Sequence, residues 1–250
     1  MQRYFIQNED VEGEQVVLQG EQAHHIERVM RMSAGDEFIC VDENEKAAKF
    51  TITSVHAQKV TAQFSETIET CAELPVRVTI AQADIKGDRF EWMLQKATEL
   101  GAFGFIGFGG KHSVVKWDEK KQDKKLTRYK KIVQEAAEQS ERLRLPAVQH
   151  VASAKELLSI ADRYDVVWVV SEQSGRGTNH HALYDQLEAL HSPVSALAIL
   201  GPEGGFSESE FQLFQDAGFA SISLGPRILR AETASTALLS MLSYEYEIKR

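Results

Sequence analysis

From residue 76 onward, short unbroken apolar runs alternate with longer stretches whose apolar positions recur every three or four residues. The short runs are Val76 to Ala83, Phe103 to Phe108, Asp165 to Ser171, Val194 to Leu200 and Ala220 to Leu224. Runs without polar alternation predict strands covered on both faces, the arrangement of a parallel sheet. Between them, Gly87 to Leu100 sets Phe90, Met93, Leu94 and Ala97 at i, i+3, i+4 and i+7, one face of a helix. Lys124 to Arg144 predicts a long helix stopped by Pro146. Further helices are predicted near Ala182 to His191, Ser207 to Ala217 and Glu232 to Ile248. Alternating strands and helices of these lengths predict an α/β fold with a mostly parallel sheet.

The first seventy residues have another texture. Val16 to Leu18, Glu37 to Val41, Phe50 to Val55 and Val60 to Phe64 are short and rich in β-branched and aromatic residues. One helix, about Glu21 to Met32, interrupts them with Ala23, Ile26, Val29 and Met30 inward, and Ser33-Ala34-Gly35-Asp36 ends it. A small β-barrel carrying one helix is the economical solution. Glu69 to Pro75 reads as a linker, which gives two expected domains, residues 1–72 and 73–250.

Charge adds a contrast between these halves. The chain has a formal net charge of −9, which by itself argues against a nucleic-acid binder. Residues 1–72 hold six Lys/Arg against thirteen Asp/Glu, so the acidity is concentrated there. Lys111 to Lys131 carries nine Lys/Arg and three Asp/Glu, either a solvated helical face or a local strip for phosphates. The two cysteines, Cys40 and Cys71, read as free buried thiols and not as a disulfide framework. The opening residues lack the basic and apolar regions of a secretory leader, and no apolar run reaches the length of a membrane helix. A cytoplasmic protein is the expectation.

Two strand exits carry the candidate chemistry. Leu200-Gly201-Pro202-Glu203-Gly204-Gly205-Phe206-Ser207 follows one apolar run, and Leu224-Gly225-Pro226-Arg227-Ile228-Leu229-Arg230-Ala231-Glu232 follows another. Ligands of open parallel sheets lie at such carboxyl ends, so two similar turns predict one shared pocket. Neither a P-loop nor a dinucleotide-binding glycine motif is present, and Glu203 would repel a phosphate. A cationic or zwitterionic ligand, such as a sulfonium, suits that carboxylate better. Ser207 and Glu210 form a capping box, a structural feature in itself, and Glu232 at a helix start is also explained by the helix dipole alone. Adjacent His24-His25 and His180-His181 lack metal-ligand spacing, so no metal is expected. No nucleophile elbow occurs.

The chain resembles the RsmE family of bacterial small-subunit (16S) ribosomal RNA uridine-N3 methyltransferases, within the SPOUT superfamily. The resemblance rests on Arg3-Tyr4-Phe5, His25-Ile26-Glu27-Arg28-Val29-Met30-Arg31, Gln95-Lys96-Ala97-Thr98-Glu99-Leu100-Gly101, Ser113-Val114-Val115-Lys116 and Glu135-Ala136-Ala137-Glu138-Gln139-Ser140, together with the two glycine turns. It departs at Gly107-Phe108, where the family pattern has Pro-Phe, and at His112, where it has arginine.

The resemblance implies a PUA-like β-barrel domain followed by a SPOUT-type α/β domain tied in a trefoil knot, and a homodimer. It implies S-adenosyl-L-methionine held around Leu200, Gly201, Gly204, Leu224, Gly225, Ile228 and Leu229, with Glu203 beside them. For a uridine N3 that must lose its proton, the expected roles are stabilisation of the anion by Arg230 and positioning or proton acceptance by Glu232. RNA contacts fall to Arg3, Arg28, Arg31 and Lys116, and the partner is small-subunit ribosomal RNA, in the assembled subunit. No membrane and no metal enter this scheme. Two alternatives stay open: a non-catalytic dimeric RNA-binding module, and a methyltransferase acting on another RNA position.

Overall fold

The computed structural model describes residues 1–69, 72–115, 117, 122–171, 182–189 and 194–249. Cys71, Lys116, the His180-His181 pair and the end of the helix expected near His191 lie outside the described residues. The chain forms two compact units, one of Met1–Glu73 with Ala137–Leu145, the other of Leu74–Ala136 with Pro146–Arg250.

The first unit holds β1 (Arg3–Phe5), β2 (Val11–Glu12), β3 (Gln15–Gln19), α1 (Gly20–His24), β4 (Glu37–Val41), β5 (Ala47–His56) and β6 (Lys59–Ile68). The expected small barrel takes the form of a six-stranded sheet in the order β1-β4-β5-β6-β3-β2. Only β1 and β4 run parallel. Register shifts between Lys49 and Phe50 and between Ile52 and Ser54 bend the long β5–β6 hairpin. Bending lets Val16, Leu18, Phe38, Phe50, Ile52, Val60 and Ala62 enclose Ala23 and Ile26 of the helical segment. That segment differs from a plain helix, because after His24 it continues as a π-helical turn, His25–Val29. The hydroxyl of Tyr4 and Nδ1 of His25, 2.9 Å apart, tie β1 to this turn. Cys40 is buried as a free thiol, and burial pushes its ionisation far up.

The second unit contains β7 (Arg77–Ala83), α2 (Gly87–Glu99), β8 (Gly104–Phe108), α3 (Gln122–Gln139), β9 (Ala147–Val151), α4 (Ala154–Ala161), β10 (Val166–Val170), α5 (Ala182–Ala189), β11 (Ser195–Leu200), α6 (Glu208–Asp216), β12 (Ala220–Ile222) and α7 (Ala231–Ser243). The end of α3 groups with the first unit. The strands form a wholly parallel sheet in the order β12-β10-β11-β7-β8-β9. Val78 and Ile80 face one layer with Phe90, Met93, Leu94, Leu238 and Leu239. Ala81 and Ala83 face the opposite layer with Leu157 and Phe214. Burial on both faces is why these strands are continuous apolar runs. Strand order reverses beside β7, where β11 and β8 flank it, and such a reversal opens a crevice at the carboxyl ends.

The long helix ends at Gln139, five residues before the predicted Arg144. Glu141 takes a left-handed φ of 59°, and the chain beyond it folds onto a carboxylate. Glu73 accepts from the backbone N–H groups of Leu143 and Arg144 and from the guanidinium of Arg142. The N–H groups of Leu143 and Arg144 thus find a carboxylate acceptor in place of helix carbonyls, and the chain leaves the helix ahead of Pro146.

Candidate functional site: a pocket between two glycine turns

β11 and β12 lie on either side of β10, so their exits converge over its end. The two turns line a single cavity of about 380 Å³, floored by Val170 and Ser171 at the exit of β10. From the first turn come Leu200, Gly201, Glu203, Gly204 and Phe206; from the second come Leu224, Gly225, Arg227, Ile228, Leu229 and Arg230. Every residue expected at a cofactor pocket therefore faces one space. Its volume falls in the range of small-ligand sites, which span roughly 300–1,000 Å³.

Local rules set each wall. Gly225 has φ of +112°, a conformation closed to residues with a side chain, and this turns the chain away from β12 toward α7. Ser207 caps α6 through the backbone N–H of Glu210, and the Glu210 carboxylate accepts from the Ser207 backbone N–H at 2.9 Å. That reciprocal box fixes where the first turn ends. Gln82, fully buried at the end of β7, donates to the carbonyl of Gly201 at 2.9 Å and holds the turn's beginning. The segment that departs from the family pattern braces the same turn. Lys111 donates its backbone N–H to Glu210 at 2.8 Å, and His112 Nδ1 lies 3.3 Å from the Gly204 carbonyl. Gly107 has its own reason: a Cβ there would sit 2.7 Å from Cδ2 of His150, whose Nε2 reaches across to Asp84 at 3.1 Å.

Arg230 is the N-cap residue of α7, but only its backbone serves the helix, its carbonyl accepting from Thr233 and Ala234. Its exposed side chain makes no ion pair among the described residues, nor does that of Arg227. A guanidinium left uncommitted at a cavity rim is available to an anion. Glu232 stands elsewhere. It is 13% exposed, it is not part of the cavity wall, and its Oε1 lies 3.8 Å from Nε of Arg89. Its Oε2 is buried and accepts no hydrogen bond among the described residues. Arg89, in the first turn of α2, does line the cavity and also contacts Glu203 at 3.2 Å. Nothing in the apolar pattern of α2 marked it, because its turn reads as an ordinary helix start. Pro202 and Phe206 of the first turn also line the cavity, though neither was assigned to the donor, and so does Ala234, which sequence reasoning did not place there.

The matched family models are those of an RNA methyltransferase domain, over residues 72–243, and an RNA methyltransferase PUA domain, over residues 18–65. The chain belongs to this RNA methyltransferase family. A Bacillus subtilis relative, Ribosomal RNA small subunit methyltransferase E, is 41% identical across all of this chain and 99% of its own. A Synechocystis relative of the same name is 33% identical over 91% of this chain and 72% of its own. The crystal structure of the Neisseria gonorrhoeae methyltransferase E, bound to S-adenosylmethionine, superposes with a TM-score of 0.84 at 26% identity, covering 98% of each chain. Among this family's expected RNA contacts, Arg28 and Arg31 are exposed at the end of the π-helical turn, where Arg31 holds a left-handed φ of 54°. Arg3 needs correction. Its side chain is 2% exposed in β1, Nη1 donates to the carbonyl of Arg142 at 3.3 Å and Nε has no partner among the described residues, so the guanidinium is enclosed in the unit and does not face solvent. Burial also lowers its pKa, since desolvation disfavours the charge. Lys116 lies outside the described residues. No helix among the described residues is long and apolar enough to cross a membrane.

Proposed function

We propose that this chain transfers a methyl group from S-adenosylmethionine to N3 of a uridine in small-subunit ribosomal RNA. The observation that carries this reading is the single cavity lined by both glycine turns in a member of the RNA methyltransferase family. The residues fit the donor. Leu200, Leu224, Ile228 and Leu229 supply apolar walls for a flat ring, turn backbone supplies hydrogen bonds, and Glu203 supplies a carboxylate that suits a sulfonium-bearing zwitterion.

When bound, S-adenosylmethionine provides an electrophilic methyl group, so the chain's own task is to bind, orient and balance charge. Uridine N3 must lose its proton, to water at the open rim, before its lone pair can attack the methyl carbon. That attack breaks the bond from carbon to sulfur, which leaves as the thioether. Until then the negative charge is spread over O2 and O4. Arg230, exposed at the rim and unpaired among the described residues, stabilises that charge. Glu232, behind the wall and next to Arg89, takes the positioning part of the role expected of it. The target base leaves its stack to reach the cavity. Arg28 and Arg31 contact RNA phosphates from the first unit. We extend the reading, on family resemblance, to a homodimer with a knotted second unit, working in the cytoplasm on the assembled small subunit.

Small ribosomal subunits lacking the modification, incubated with the chain and methyl-labelled donor, test this directly. The labelled nucleoside is 3-methyluridine if the reading is right. Label on a ribose hydroxyl or a base carbon, or no label at all, contradicts it.

A further inference from the structure

Arg89 holds the charge arrangement of the pocket together. It sits in the first turn of α2, remote in sequence from both glycine turns, and lines the cavity they share. Its Nη1 is 3.2 Å from Oε1 of Glu203, in the first turn, and its Nε is 3.8 Å from Oε1 of Glu232, in the helix that the second turn enters. Among the described residues, no other cation pairs with carboxylates from both sides of the cavity.

The two contacts differ in kind. The one to Glu203 is a charge-assisted hydrogen bond, and the backbone N–H of Lys86 adds a second, long contact of 3.4 Å to the same oxygen. The one to Glu232 is an ion pair without hydrogen-bond distance. Among the described residues Glu232 has no other side-chain anchor, since Oε2 is buried and accepts no hydrogen bond there. A buried carboxylate oxygen without a donor is unfavourable, so the orientation of Glu232 depends on the Arg89 charge.

We propose that Arg89 is a positioning residue that couples the two turns. It binds Glu203 and Glu232 into one array, so that both walls of the donor pocket are set together. The inference rests on the donor-pocket reading for its consequence in catalysis, but the coupling is a property of the chain itself. Lysine could hold either carboxylate as a point charge and lacks the planar fork that meets both.

Hydrogen–deuterium exchange on the unliganded chain tests the coupling. Arg89→Ala speeds exchange in both turns, residues 201–206 and 225–231, by about tenfold. Arg89 is only partly buried, so the variant keeps its fold, which circular dichroism checks; Arg89→Lys, the gentler change, restores protection in one turn only. Glu203→Gln speeds exchange in the second turn, which it does not touch, and this cross-effect disappears when Arg89 is alanine. An effect confined to the start of α2, or no cross-effect of Glu203→Gln, overturns the proposal. Titration with S-adenosylmethionine adds an energetic readout: Glu203→Gln and Glu232→Gln weaken binding non-additively with Arg89 present and additively without it. Strict additivity with Arg89 in place overturns the coupling as well. If the wild-type chain fails to take up the donor, the donor reading falls, while the exchange data still decide for or against Arg89.

Discussion

Two pairs of arginines show how differently one side chain is used in the two units. In the first unit Arg3 and Arg142 are 2% and 1% exposed. Arg142 makes a fork to Glu73 with contacts of 2.8 and 2.5 Å, and Arg3 donates to the Arg142 carbonyl. In the second unit Arg227 and Arg230 are exposed at a cavity and have no carboxylate partner among the described residues. The first pair is buried in the fold, Arg142 held by Glu73 and Arg3 by a hydrogen bond to the Arg142 carbonyl, with Nε of Arg3 unpartnered among the described residues. The second pair leaves its hydrogen-bonding capacity uncommitted among the described residues. Motif position did not distinguish them, since Arg3 and Arg230 both lie in stretches that match the family. Burial and partners did.

The contrast is sharpest where the effect is largest. Removing the Arg142 guanidinium with Arg142→Ala takes that charged partner from Glu73, which keeps neutral donors such as the backbone N–H groups of Leu143 and Arg144, and is expected to destabilise the first unit by about 3 kcal/mol, read from urea unfolding. Donor binding by any fraction that stays folded is expected to be unchanged. Arg230→Ala should do the reverse. Its midpoint of unfolding stays near that of the wild type, and methyl transfer falls by about a hundredfold, with the loss in kcat and little in donor affinity. If Arg142→Ala left stability intact, or Arg230→Ala unfolded the chain, the division between structural and available arginines would be wrong.

Smaller changes refine the same division. Gly225→Ala forces a side chain into φ of +112°, with nothing within 4 Å of the new Cβ to clash. Strain alone, of roughly 1–3 kcal/mol, should therefore appear, part of it as weaker donor binding in calorimetry. The smallest effects are expected in RNA binding. Arg28→Ala should lower RNA affinity and reduce the slope of its salt dependence by about one, as for a lost phosphate contact. Arg3→Met should leave that slope unchanged, since the buried guanidinium meets no RNA. Equal salt slopes for Arg28→Ala and the wild type would remove Arg28 from the interface.

Much of the second unit was legible because its strands are buried on both faces. Asp165 to Ser171 and Val194 to Leu200 could hardly be anything else, and they emerge as β10 and β11. Legibility falls at the edges. β9 at Ala147–Val151 carries Gln149 and His150 among its apolar residues, and as an edge strand it needs no unbroken apolar run. α4 was also missed, although Ser153 caps it through the backbone N–H of Glu156, a signal present in the sequence. In the first unit β1 and β2 are three and two residues long, too short for any period to show. At the site, the glycine turns were readable because glycine and proline leave a local mark. Arg89 was not, since its role depends on Glu203 and Glu232, both more than a hundred residues away. That Arg230 lines the cavity and Glu232 does not was likewise hidden, because a linear motif does not show which side chain reaches the cavity.

A crystal structure of the chain grown with S-adenosylmethionine tests the central claim most directly. Density for the donor should lie in the cavity above β10, contacted both by the turn at residues 200–206 and by the turn at residues 224–230. Density touching only one turn, or lying elsewhere on the chain, would contradict a donor site built by the two turns together.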